Sequence, residues 1–240
     1  MKNLLKPKSL PLATVILGGI GFVLRWLLYM TATDERNLVS LWHPLELLLW
    51  LVAATATLLI IGTVWKLRNP NHSPDRFRPS AAQAAGSAAM AAGILLAVLQ
   101  GGLAPSGLEM VRDYLGVLAA AAMLVVAFNR FQGRQPFFLL HAAVCIFFAV
   151  HMVSCYRGWS SNPQLMDYIF TLFASVGLML FAFYHACLEA DMGKLRLLPG
   201  AGLLTAFCCI VALSGTEYLP LYLGGGIWTL TNLCRLHTGE

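Results

Sequence analysis

Charge is what this sequence has least of: Asp, Glu, Lys and Arg make up 11% of its 240 residues, against 58% hydrophobic side chains. A soluble domain carries about a quarter charged residues, so this chain cannot clothe a surface that faces water. Its solvent is lipid. Signature motifs are equally scarce. HExxH, GxSxG, Walker A, GxGxxG and DxxxD-type phosphate patterns are absent, which leaves an enzyme reading without a nucleophile–base set or a metal-ligand spacing. No TVGYG filter and no regular arginine series occurs either, so neither a potassium-selective pore nor a voltage sensor is indicated. The six cysteines (Cys145, Cys155, Cys187, Cys208, Cys209 and Cys234) contain no CxxC pair. Five of them fall in apolar runs, where cysteine acts as a small packing residue. No cofactor and no metal is expected from this pattern.

What the chain does contain is long apolar runs. A span needs about 20 mostly apolar residues, because the hydrocarbon core is about 30 Å thick and a helix rises about 1.5 Å per residue. Eight segments qualify, at 10–30, 43–65, 81–102, 108–129, 136–156, 164–187, 197–213 and 219–235. The fold class is therefore all-α, a polytopic membrane protein with about eight transmembrane helices. The last two are separated only by Ser214-Gly215-Thr216-Glu217. One long helix would leave a glycine and an acid in mid-membrane, so a hairpin is expected. The first run is too long for a signal-peptide h-region and no small-residue cleavage site follows it, so it too counts as a span.

The net charge of +5 is explained by topology, not by nucleic acid, for which no binding role is expected. With the N-terminus inside, the inner segments hold Lys2, Lys6, Lys8, Lys66, Arg68, Arg76, Arg78, Arg130, Arg134, Lys194, Arg196 and Arg235, and the outer ones hold Arg36, Arg112 and Arg157. Twelve against three is the cytoplasmic excess that membrane insertion produces, and it returns the C-terminus to the cytoplasm.

An internal repeat divides the chain. Ser106–Gly116 aligns without gaps to Ser214–Gly224 with six of eleven positions identical, each block preceding an even-numbered span. Phe22-Val23-Leu24-Arg25 matches Phe148-Ala149-Val150-His151 loosely, and the second and sixth spans both open with proline and an acid. A four-plus-four duplication, halves 1–130 and 131–240, would relate the two by an axis along the membrane normal. Ser-x-x-Glu is also a local capping box that any helix start acquires, so helix capping accounts for part of the match.

Several ionisable groups sit at a depth where they are expensive. Arg25 lies about two-thirds of the way out along the first span; a charge near the bilayer centre costs at least about 2.5 kcal/mol. It either snorkels to the headgroups or faces inward to an acid, for which Glu46 and Asp167 are available. Both acids also suit the first turn of a helix, where the macrodipole favours them. His151 lies at a depth close to that of Arg25. Arg25, Glu46, His151 and Asp167 thus fall in the outer third of four different helices, beneath a loop from Tyr156 to Asn162 that carries Arg157 and Trp159. These six are the candidate ligand-binding residues. A second group lies on the inner side: His141, Tyr184, His185 and Glu189. Glu189, Asp191, Lys194 and Arg196 are expected in a solvated inner loop, and the two histidines lack the paired spacing that a bis-histidine haem would give.

The third span carries Ala81, Ala85, Ala89 and Gly93 at four-residue intervals, a spacing that lets helix backbones approach closely, within the chain or against a partner subunit. The stretches Tyr156-Arg157-Gly158-Trp159-Ser160-Ser161-Asn162-Pro163-Gln164 to Asp167-Tyr168 and Tyr222-Leu223-Gly224-Gly225-Gly226-Ile227-Trp228 are similar to those of uncharacterised multi-span proteins predicted from bacterial genomes. That resemblance implies the bacterial plasma membrane and carries no activity. The expected function is a small-solute transporter or solute-binding membrane subunit with an outward-facing polar pocket. The alternative is a non-catalytic scaffold or accessory subunit of a larger complex.

Overall fold

In the computed structural model, residues 10–32, 43–66, 79–100, 107–160, 168–192, 197–215 and 218–235 are described. Among them are eight helices: α1 Leu10–Thr31, α2 Pro44–Lys66, α3 Ala81–Gln100, α4 Gly107–Gln132, α5 Phe138–Trp159, α6 Ile169–Glu189, α7 Leu197–Ala212 and α8 Leu219–Arg235. Their ends follow local chemistry. Pro44 opens α2, and His43 Nδ1 accepts the Leu45 N–H at 3.3 Å, so the histidine caps the helix. Ser80 Oγ accepts the Gln83 N–H before α3. α4 stops at Gly133, whose φ of 71° is left-handed, and the Arg134 N–H reaches back to the Asn129 carbonyl at 2.8 Å. That is the six-to-one bond of a Schellman ending.

Six helices, α1 to α6, are long and apolar enough to cross a membrane. α7 has 16 residues, about 24 Å of helix. The bundle's outer surface displays Leu58, Trp65, Leu118, Phe128 and Phe131, among many other exposed large hydrophobics. Water does not tolerate such a surface on a monomer; a bilayer requires it. The architecture is consistent with an integral membrane protein.

α3 to α8 pack as a closed ring, each helix against the next and α8 back against α3. α1 and α2 form a hairpin docked on α7. The expected halves share two pairings, α1 on α2 with α5 on α6, and α3 on α4 with α7 on α8. They differ in the third: α6 packs along α7, whereas α2 makes no comparable contact with α3 among the described residues.

Lipid chains are as apolar as leucine, so helices in a bilayer gain from close packing more than from burial. The α3–α8 seam uses that gain. A Cβ built on Gly93 would lie 2.5 Å from the Pro220 carbonyl oxygen, and one on Gly224 would lie 2.6 Å from that of Ala89. Backbone therefore meets backbone, and Ala89 takes part in this internal contact, while Ala81 and Ala85 remain exposed. On α1 the buried Gly18, Gly21 and Arg25 face α7, where the glycines admit side chains, Gly18 that of Ile210 and Gly21 those of Val211 and Phe207.

Three expectations need correcting. α5 continues to Trp159, so Tyr156 to Trp159 form its last turn instead of a loop. Arg112 belongs to α4, not to an outer loop. Glu189 is the last residue of α6 and is buried, not solvated. The expected break between the last two helices is present: α7 ends at Ala212 and α8 starts at Leu219.

Gly93→Leu and Gly224→Leu should each lower the thermal unfolding midpoint in detergent by several degrees, since overpacking costs about 1–3 kcal/mol. Gly19→Leu, where a Cβ meets nothing within 4 Å, should leave it unchanged.

Candidate functional site

The polar interior is concentrated where α4 ends, α5 begins and α6 ends. Glu189 sits at its centre with a side-chain exposure of 1%. Arg130, in the last turn of α4, donates from Nη2 to Glu189 Oε1 at 3.1 Å. His141, in the first turn of α5, places Nδ1 2.7 Å from Oε2. Against a carboxylate, which only accepts, that nitrogen is the donor. Gln135 Nε2 donates to the Glu189 backbone carbonyl at 2.8 Å, securing one of the orphan carbonyls at the end of α6.

One helical turn before Glu189 lies His185, on the same face of α6. Its ring stacks on that of His141 at 5.1 Å between centroids. Trp228 of α8 lies against both rings, at 6.1 Å and 5.8 Å, and Phe181 meets His185 edge-on. His185 Nε2 is buried and has no hydrogen-bond partner among the described residues. Ligand atoms of His141, His185 and Glu189 lie within 4.8 Å of one another. The arrangement can hold a cation or hydrogen-bond a small solute, and its imidazoles can carry protons. It does not suit haem: axial histidines approach iron end-on from opposite faces of the porphyrin, whereas these two rings lie face to face.

Two further polar clusters occupy the other end. Arg25 is 4% exposed and points into the bundle. Its Nη2 donates to the Tyr29 hydroxyl at 3.0 Å and its Nη1 to the Val211 carbonyl at 3.4 Å. The guanidinium also lies over the rings of Tyr29 and Phe170. Val211 is the penultimate residue of α7, so the cation sits at the negative end of a helix dipole, sharing a carbonyl that also accepts from the Ser214 N–H and hydroxyl. The snorkelling alternative does not hold. In the second cluster, Arg112 pairs with Asp113 at 2.8 Å and donates to the Tyr218 hydroxyl at 3.2 Å. Tyr218 meets the buried His151 ring edge-on at 4.8 Å, and Cys155 Sγ lies 3.6 Å from His151 Nε2.

The six expected ligand residues are therefore distributed. Arg25 belongs to the α1–α6–α7 cluster and His151 to the α4–α5–α8 cluster. Glu46 is half-buried in the first turn of α2, one turn before Trp50, whose ring meets Phe170 at 5.7 Å. Arg157 is exposed, and Trp159 is buried and stacked on Tyr168 at 4.6 Å. Asp167 lies outside the described residues. The sequence reading grouped His141, His185 and Glu189 on the inner side but expected Glu189 in a solvated loop, and it did not include Arg130 or Trp228. Two signals were present: His185 and Glu189 at i and i+4, and an arginine in the last turn of α4 facing the same connection.

Comparison with protein-family models, with curated proteins and with solved structures finds no match. The site must be argued from its own chemistry.

Removing one partner of a buried ion pair strands the other and costs about 3–5 kcal/mol, whereas apolar replacement of both is often neutral. Arg130→Met should therefore destabilise the protein by about that amount. The double variant Arg130→Met with Glu189→Leu should recover most of the loss in equilibrium unfolding.

Proposed function

We propose that this chain binds a small solute or ion within the membrane, as a transporter or solute-binding membrane subunit, and that the Glu189 centre is its main binding site. The observation that carries the reading is a carboxylate enclosed by a six-helix ring and shared by an arginine and a histidine from two other helices. Ionisable groups inside a membrane bundle are costly, and where they persist they mark ion and solute paths and proton relays. A purely structural pair would have no use for a second histidine one turn away whose Nε2 lacks a hydrogen-bond partner among the described residues.

In this reading the residues at the other end, Arg25, Glu46, His151, Asp167, Arg157 and Trp159, are what a solute meets from the opposite side, Arg157 supplying an exposed cation there. The twelve-to-three distribution of basic residues supports cytoplasmic termini and a cytoplasmic Glu189 end. The resemblance to bacterial multi-span proteins supports the plasma membrane. The four-plus-four duplication belongs to the same proposal, supported by the Ser106–Gly116 and Ser214–Gly224 match.

The accessory-subunit alternative is favoured by one observation, the exposure of Ala81 and Ala85 on α3. It predicts a protein co-purifying in mild detergent and lost in Ala85→Leu.

The binding reading predicts that a panel of metabolites and inorganic ions contains at least one compound raising the unfolding midpoint of the purified protein. That shift should vanish in Glu189→Gln and His141→Ala. A silent panel, or a shift that survives both substitutions, contradicts it. For the topology, reporter fusions after Arg134 and Arg196 should be active as cytoplasmic fusions and a fusion after Gly158 as an external one; the reverse pattern contradicts the orientation.

A further inference from the structure

We propose that His141, His185 and Glu189 form a site for one first-row divalent transition-metal ion, of the zinc type. The inference rests on reading the Glu189 centre as a binding site and names what that site takes.

Donor chemistry sets the class of ion. Two imidazoles and one carboxylate are the set with which zinc and its first-row neighbours are held when further positions stay open. Magnesium and calcium prefer oxygen throughout, which this site does not offer. Geometry agrees. Ligand bonds of about 2.0–2.2 Å put neighbouring donors roughly 3–3.5 Å apart around a tetrahedral ion. Here one pair stands at 2.7 Å and all three donors lie within 4.8 Å. Because the two imidazoles stack face to face, 16° apart, each ring must also turn about its side-chain torsions to aim its in-plane lone pair at the ion.

Two details separate this from a chance gathering of polar groups. The first is the orphaned His185 Nε2. A buried imidazole nitrogen with no partner costs about 1–3 kcal/mol. It cannot be relieved by Glu189, whose oxygens are already engaged by Arg130 and His141. An ion bonded to it removes that cost. The second is how the carboxylate is divided. Arg130 repels a cation, yet it holds Oε1, while His141 holds Oε2. Oε1 stays tied to the guanidinium as the outer partner that fixes a ligating carboxylate, and Oε2 turns to the ion. The ion replaces the hydrogen bond between His141 and Oε2, with the imidazole proton passing to the other ring nitrogen.

Trp228 and Phe181 wall the site with apolar rings, which limits water around the ion. His141 is the fourth residue of α5 and Glu189 the last of α6, so the site lies about one helical turn inside the bundle and within reach of ions from that end.

The test is equilibrium binding of zinc and cobalt to the purified full chain in detergent after chelator treatment. The expected result is one ion per chain by elemental analysis. The cobalt form should show visible ligand-field absorption, and the zinc form X-ray absorption fine structure with two imidazole ligands. His185→Ala should weaken binding by at least about tenfold. Because Glu189→Gln strands Arg130, loss of binding in that variant counts only if it elutes as a monodisperse species. The X-ray measurement on the unaltered chain needs no variant at all. Sub-stoichiometric metal on well-folded protein, affinity unchanged in His185→Ala, or a first shell without imidazole overturns the proposal. If metal fails while a member of the solute panel still shifts the midpoint through Glu189, the ion falls and the binding reading stands. If both fail, the centre is structural.

Discussion

Glu189 is the residue around which the interior is arranged. A bare carboxylate inside a helix bundle is too costly to keep, so its position obliges other groups to come to it. Arg130 comes from α4 and His141 from α5, and Gln135 comes from the connection between them to the backbone of the same residue. Three helices are thereby fixed in rotation as well as in distance. Apolar packing alone specifies rotation poorly, because one leucine face resembles another.

The ring can close around such a centre because its other contacts demand so little space. At the α3–α8 seam the two backbones touch through Gly93 and Gly224. Such an approach brings Trp228, one turn beyond Gly224, over the two histidines. Small residues on one helix and a polar centre on three others are thus parts of one arrangement. A bulkier α3 would push Trp228 off the imidazoles. Arg25 performs a related service at the far end, where it ties α1 to the Val211 carbonyl in the last turn of α7. It is buried, and its partners include a carbonyl, a hydroxyl and two aromatic faces, which gives it a structural use in joining three helices.

Architecture was largely legible in the sequence, since lipid imposes length and apolarity residue by residue. The breaks at Gly133 and between Ala212 and Leu219, the cap at His43 and the paired small residues of α3 all carry local signatures. The site was legible only in part. Glu189, Asp191, Lys194 and Arg196 read as a solvated charge run, and along the chain only the i, i+4 spacing from His185 sets Glu189 apart. Arg130 counted as one more cytoplasmic cation for the same reason. Burial of a charge depends on which neighbour closes over it, here α5 and α8, and that is a property of tertiary packing. Arg25 and His151 share a depth but have different neighbours, because α1 docks on α7 whereas α5 packs between α4 and α6.

The central claim is the enclosure of Glu189 by His141 and Arg130, and solid-state NMR of the protein in lipid bilayers reaches it most directly. With the Glu189 carboxyl carbon and the His141 ring nitrogens labelled, a strong carbon–nitrogen dipolar coupling is expected to Nδ1, with the carboxyl signal insensitive to a soluble paramagnetic agent. A Glu189 carboxyl that is relaxed by that agent and shows no coupling to His141 would contradict the account.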